Sequence, residues 1–157
     1  MGLDLSPGQV ARASRRLHDL GDRARVVAGS ALELPFDDGS FDVVLSIGSI
    51  KHWPDMAQGV SECARVLAPG GRLVIAEADR GCSLADARAF IDRWRAPPVI
   101  GTAVLAFFRT WVAGQGIDLE DARRLLAAVP LHDASAERVP GAPFLILRGV
   151  QSSAGSV

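Results

Sequence analysis

Three short runs, Arg25-Val26-Val27-Ala28, Phe41 to Ile47 and Leu73-Val74-Ile75-Ala76, are apolar without the polar alternation of a half-exposed strand. Strands of that kind are covered on both faces, as in a parallel sheet packed between helices. Helical segments separate them. Ser6-Pro7 supplies a cap and a first-turn proline, Val10, Ala13, Leu17 and Leu20 recur at helical spacing, and Gly21 is the expected stop. Pro54-Asp55 opens a second helix, with Met56, Val60, Cys63, Ala64 and Leu67 on one face and Ala68-Pro69-Gly70-Gly71 as its expected stop. The alternation predicts an α/β fold.

Beyond the third strand the pattern changes. Ser83 can cap a helix carrying Leu84, Ala87, Phe90, Ile91 and Trp94; Ala96-Pro97-Pro98 separates it from a second segment, Val104 to Trp111. Asp118 and Asp121 have capping-box spacing ahead of Leu119, Ala122, Leu126 and Val129, and Pro130 ends that helix. Two runs, Ala134 to Val139 and Phe144 to Arg148, flank Pro140-Gly141-Ala142-Pro143, a connection suited to an antiparallel hairpin. One domain over residues 1–150, followed by a disordered polar tail at 151–157, is the expected organisation.

Seventeen Lys and Arg against eighteen Asp and Glu leave a net charge of −1, without the basic excess that would mark nucleic-acid binding. No apolar run approaches the ~18 residues of a membrane span, and the first residues lack the pattern of a secretory signal. Two cysteines, Cys63 and Cys82, form no disulfide framework, and no Cys/His spacing suggests a metal. A soluble cytoplasmic protein is expected.

Three strings in series carry the functional information: Gly2-Leu3-Asp4-Leu5-Ser6-Pro7; Leu34-Pro35-Phe36 with Gly39-Ser40-Phe41-Asp42-Val43-Val44; and Arg65-Val66-Leu67-Ala68-Pro69-Gly70-Gly71-Arg72-Leu73-Val74-Ile75. Together they resemble the class I S-adenosylmethionine-dependent methyltransferases, in the branch acting on small molecules of the ubiquinone and menaquinone type. The resemblance runs to about Glu77, and the closing hairpin looks like the family's reversed C-terminal pair. It implies a Rossmann-like, doubly wound, mostly parallel sheet with a C-terminal antiparallel hairpin, S-adenosylmethionine as cofactor and a small-molecule methyl acceptor. A nicotinamide-binding Rossmann unit fits less well, because the Pro-Gly-Gly strand and the hairpin argue against it.

The resemblance also assigns candidate residues. Asp4, at the carboxyl end of a strand, would accept two hydrogen bonds from a ribose diol, each worth ~1.5–3 kcal/mol because the acceptor is charged; alternatively it stabilises the start of the next helix. Leu5 would lie beside the adenine, or pack in the core. Ser30-Ala31 stands where the family commonly has Asp-Ala, with the Ser30 hydroxyl left to accept from the adenine amino group. Ser46 to Gly48 resembles the segment beneath the cofactor's reactive end, or is a plain strand-end turn. Lys51-His52-Trp53-Pro54-Asp55 resembles a segment often written His-His-Leu-Pro-Asp. The His52 imidazole could take a proton from an acceptor hydroxyl, or serve as a local hydrogen-bonding residue. The aromatic residues Phe90, Trp94, Phe107, Phe108 and Trp111 would cover a flat acceptor, or pack helices.

The family's first strand and glycine-rich turn have no counterpart ahead of Gly2-Leu3-Asp4. Since the family's strand order, 3-2-1-4-5-7-6, places that strand centrally, the expected fold is N-terminally incomplete, with two open sheet edges. A shortened gene product, completion by another polypeptide, self-pairing as a homo-oligomer covering the edges, and a non-catalytic methyltransferase-like remnant or interaction module are the alternatives.

Overall fold

The computed structural model describes residues 1–93 and 114–152. Among the described residues six strands form two separate sheets. In the smaller, β1 (Gly2–Asp4) pairs in parallel with β2 (Val26–Ala28), in the register Gly2↔Val26 to Asp4↔Ala28. The crossover between them is α1 (Pro7–Arg16), whose first turn is closed by the Ser6 hydroxyl accepting from the Gln9 N–H. This helix stops at Arg16 and not at Gly21. A 3-10 turn over His18–Arg23 follows, and Gly21, at φ +54°, kinks that turn instead of ending the helix.

The larger sheet has the order β3-β4-β6-β5. Here β3 (Phe41–Ile47) runs parallel to β4 (Leu67–Ala78), which pairs antiparallel with β6 (Phe144–Gln151), itself antiparallel to β5 (Leu131–Arg138). The hairpin expectation holds, but the strand after Pro140-Gly141-Ala142-Pro143 reaches Gln151, so this residue is not part of a tail; residues 153–157 lie outside the described residues. The third strand is likewise longer than its apolar run. Asp55 caps α2 (Met56–Arg65), and Leu67, expected on that helix, already pairs with Phe41 in β4. Pro69-Gly70-Gly71 therefore lies inside the strand, where the register slips between Phe41 and Val43. Gly70 takes φ +78°, and a Cβ on Gly71 would come within 2.8 Å of the Ala68 carbonyl oxygen, so this irregularity needs glycine.

Ile50, Val60, Cys63, Ala64, Leu67, Leu73, Ile75, Leu145 and Leu147 build the core, joined by Ala122 and Leu126 of α4 (Leu119–Ala127), which opens on the Asp118/Asp121 capping box. Burial on both faces fails for β3. Its Val44 and Ser46 side face the protein, while Val43, Leu45 and Ile47 are 58%, 61% and 70% exposed. Ser83 caps α3 (Leu84–Asp92), and Phe90 meets Phe144 edge to face with ring centroids 5.2 Å apart. Trp94, Phe107, Phe108 and Trp111, the other candidate cover residues, lie outside the described residues.

One guanidinium ties the segment between β2 and β3 to α2. Arg65 donates to both carboxylate oxygens of Glu62 (2.7 and 2.8 Å), to Asp38 Oδ1 (2.6 Å) and to the carbonyls of Phe36 (2.9 Å) and Leu34 (3.0 Å). Glu62 in turn accepts the Leu34 N–H at 2.8 Å. These contacts, Arg65 first, hold the Glu62 carboxyl below its ordinary value of 4.5. A carboxyl whose pKa is lower when folded stabilises above its unfolded pKa and loses that contribution as pH falls through the folded one. Denaturant titrations from pH 6 downward should therefore show a stability loss beginning near pH 4.5 that is smaller in Glu62→Gln.

Candidate functional site

The carboxyl ends of β1, β2 and β3 open onto one cavity of about 590 Å³. Asp4, Leu5, Ser30, Ala31, Ser46 and His52 all line it. Residues almost fifty positions apart are thus brought together because each follows a strand, which is where open α/β sheets gather ligand contacts.

Both local and ligand-facing arrangements are visible. Asp4 Oδ1 accepts the Ser6 N–H at 2.8 Å, so the carboxylate supports the entry to α1, while Oδ2 has no hydrogen-bond partner among the described residues. Leu5 is 76% exposed, which removes core packing as its role. The Ser30 hydroxyl accepts the Leu32 N–H at 3.1 Å and keeps its own proton to donate. Ser46, nearly buried, shares a hydrogen bond of 2.7 Å with the Ser49 hydroxyl. His52 is exposed in a 3-10 turn over Ile50–His52, with its N–H bonded to the Ser49 carbonyl and its ring making no hydrogen bond among the described residues. His18 and His132 are exposed beside Asp19 and Asp133, away from this cavity.

Phe36 and Phe41, meeting edge to face at 5.0 Å, and Trp53 add aromatic walls. Trp53 is fixed by a close approach: a Cβ on Gly59 would lie 2.3 Å from its ring. Ser49 does not stand out in the sequence, and Trp53 is read there only as a member of the Lys51 to Asp55 string. The Cys63 thiol, against the inner wall, is pushed up to about 11, chiefly by burial, and is not a nucleophile at neutral pH.

The turn bearing His52 rests on a pair that sequence reading did not anticipate. Lys51 Nζ donates to Glu77 Oε1 at 2.9 Å, the Lys51 N–H reaches Oε2 at 3.3 Å, and the Ala78 N–H reaches Oε1 at 2.7 Å. Glu77 is fully buried at the end of β4. Lys51 stands where the resembling segment has histidine, and the charged residue closing an apolar strand was the available signal.

Among the described residues the lining contains no Lys or Arg and no run of glycines. The cavity therefore offers acceptors and apolar surface suited to an adenosine moiety, but neither a cationic side chain nor a cradle of backbone N–H groups for an aminoacyl carboxylate. The residues present fit half of S-adenosylmethionine.

Residues 1–75 match the methyltransferase domain family. A probable tocopherol O-methyltransferase from Oryza sativa subsp. japonica is 47% identical over 76 residues, 47% of this chain and 21% of the relative; a demethylmenaquinone methyltransferase from Thermus thermophilus is 40% identical over 77 residues, 49% of this chain and 35% of the relative. The chain thus spans only a minor part of these curated relatives. In fold it is similar to a geranyl diphosphate C-methyltransferase from Streptomyces coelicolor, solved with S-adenosyl-L-homocysteine (TM-score 0.60, 19% identity, 96% of this chain and 61% of that one). It is also similar to a methyltransferase from Aquifex aeolicus (TM-score 0.61, 14% identity, 94% and 66%). A cyclase, SpnF, has the same fold at TM-score 0.59 and 16% identity, covering 96% of this chain and 66% of its own. Class I methyltransferase is accordingly the fold. Residues 1–75 are similar to the methyltransferase domain family, and the relatives matched over them include small-molecule methyltransferases.

Removing the Lys51 ammonium would strand a fully buried carboxylate, a change that costs ~3–5 kcal/mol. Lys51→Met should show that loss in chemical denaturation, and Lys51→Met combined with Glu77→Leu should recover much of it.

Proposed function

We propose that this domain serves S-adenosylmethionine-dependent methyl transfer to a small-molecule acceptor, in the reducing environment of the cytoplasm. The observation that carries this reading is the convergence of Asp4, Leu5, Ser30, Ala31, Ser46 and His52 on one cavity at the strand ends. Asp4 Oδ2 accepts from the ribose diol while Oδ1 stays on the Ser6 N–H. Leu5 lies along the adenine, and Ser30 with Ala31 marks its edge. When bound, the cofactor supplies an electrophilic methyl group. Ser46 lies under the reacting end, and His52, exposed and with an unengaged ring, takes the acceptor's proton. Phe36, Phe41 and Trp53 exclude water from a flat or lipophilic acceptor.

Alignment of donor and acceptor supplies most of the acceleration in such a displacement, up to ~7–11 kcal/mol, so a single base is not indispensable. His52→Ala is expected to lower a measured methyl-transfer rate by ~100-fold or less, with ligand affinity unchanged. A much larger loss would show a deeper role for His52.

A second reading, a non-catalytic methyltransferase-like module with weak cofactor binding, is favoured by a lining that, among the described residues, holds no Lys or Arg. Calorimetry separates the two. Adenosine and S-adenosylhomocysteine should bind this chain with similar, weak affinity, and Asp4→Ala should weaken both by about tenfold or more, as expected for a hydrogen bond to a charged acceptor. Binding of S-adenosylhomocysteine far tighter than adenosine would overturn the half-site; no change on Asp4→Ala would favour the non-catalytic module.

A further inference from the structure

Between Pro7 and Arg25 the chain has five arginines and two aspartates, whereas the rest of it has twelve basic residues against sixteen acidic ones. Positive charge is thus concentrated on α1 and the turn after it. The side of α1 that holds the partly buried Val10 and Ala13, with Leu17 at its end, packs on β1 and β2. At about 100° per residue, Arg12, Arg15 and Arg16 fall within roughly 100° of arc on the opposite side, where all three are exposed. Gly8 lies in the same arc one turn before Arg12, and a Cβ there would meet nothing closer than the Ser6 hydroxyl at 3.8 Å.

None of these three arginines, nor the exposed Arg23, has an ion pair or a hydrogen bond among the described residues. Around the larger sheet, by contrast, Arg65, Arg80, Arg124 and Arg138 are held by carboxylates, and the unpaired Arg72, Arg88 and Arg123 stand singly on β4, α3 and α4. Like charges three and four positions apart on a helix repel, so Arg12 beside Arg15 and Arg16 weakens α1. Arg15 and Arg16 complement the carboxyl end of the helix, but Arg12 lies outside its last turn. The fold alone gives no reason for this charge.

We propose that the outward face of α1 is a docking surface for a short acidic helix of a protein partner, with carboxylates spaced three and four positions apart to meet Arg12, Arg15 and Arg16. The inference does not depend on methyl transfer. Planar guanidinium forks take carboxylates side-on, and Gly8 leaves room for a partner's backbone to come close. Size decides against a longer polyanion. The ten residues of α1 span ~15 Å, beyond which a nucleic acid would run onto a chain of net negative charge. A membrane would need large apolar side chains to insert beside the arginines, and the apolar positions next to them are Gly8 and Ala11.

The experiment uses the full chain and two labelled synthetic peptides of identical Glu, Ala and Gln composition. One has its Glu residues in a single helical stripe, and the other has them scattered around the helix. Fluorescence anisotropy at low salt should show the striped peptide binding about tenfold or more tighter, and about 0.3 M NaCl should weaken it by a similar factor. Arg12→Gln, Arg15→Gln and Arg16→Gln together should lower that affinity about tenfold or more, whereas Arg72→Gln, Arg88→Gln and Arg123→Gln together should leave it unchanged. Arg12→Gln alone should leave stability to chemical denaturation equal or higher. Four outcomes overturn the proposal: no binding of either peptide, equal binding of both, equal loss in the two triple variants, or a clear loss of stability in Arg12→Gln. Tighter binding of a single-stranded DNA of about twenty nucleotides, or of vesicles of phosphatidylcholine and phosphatidylserine in equal parts, lost in the α1 triple variant, would overturn it in favour of nucleic acid or membrane.

Discussion

The Arg65 guanidinium is the contact on which the arrangement of the molecule depends. Among the described residues no strand ladder links the two sheets, so their relationship rests on the chain between β2 and β3. Arg65 holds that chain at Leu34, Phe36 and Asp38, and Gln58, one face of α2 earlier, holds it at the Leu32 carbonyl (2.8 Å). Both anchors come from α2, which is packed on the larger sheet through Val60, Cys63 and Ala64. Arg65 is the appropriate residue because a planar fork can serve a carboxylate side-on and still reach carbonyls, which an ammonium cannot do.

This anchoring explains why the site is two-sided. Asp4, Leu5, Ser30 and Ala31 come from the smaller sheet and its loops, while Ser46, His52 and Trp53 come from the larger one. The cavity exists because the 30–40 segment spans between them and is pinned at several points. The buried Lys51–Glu77 pair plays the corresponding part on the other wall, fixing the start of the turn that carries His52. Buried charge is expensive to maintain, and its presence beside the cavity fits a demand for position more than for stability.

Local chemistry made much of this legible in the sequence. Ser6-Pro7, Ser83 and Asp118 with Asp121 are caps whose hydrogen bonds depend on a few neighbouring residues, and each begins a helix where expected. The strand Phe41–Ile47 that carries Ser46 was readable from its β-branched run, whereas the strand end at Asp4 was placed by the family resemblance and not by a run of its own. What escaped is long-range. Pro69-Gly70-Gly71 reads as a stop by composition, yet pairing with Phe41 draws Leu67 into β4 and the glycines into a strand irregularity. The open face of β3 was equally invisible, because an apolar run records what a strand can tolerate on each side and not what packs there. The Lys51–Glu77 pair joins residues twenty-six positions apart, beyond the reach of any spacing rule.

The position of β6 has a consequence for how the chain acquires its structure during synthesis. The last strand of the larger sheet to leave the ribosome is not at its rim; it lies between β4 and β5. Until Phe144–Gln151 emerges, β5 has no ladder at all and β4 carries an unpaired flank over Arg72–Ala78. The larger sheet therefore closes after translation has passed its final strand, through contacts between residues as far apart as Arg72 and Val150. Such distant pairings are slow to form, so this half of the molecule is the one most in need of protection while nascent.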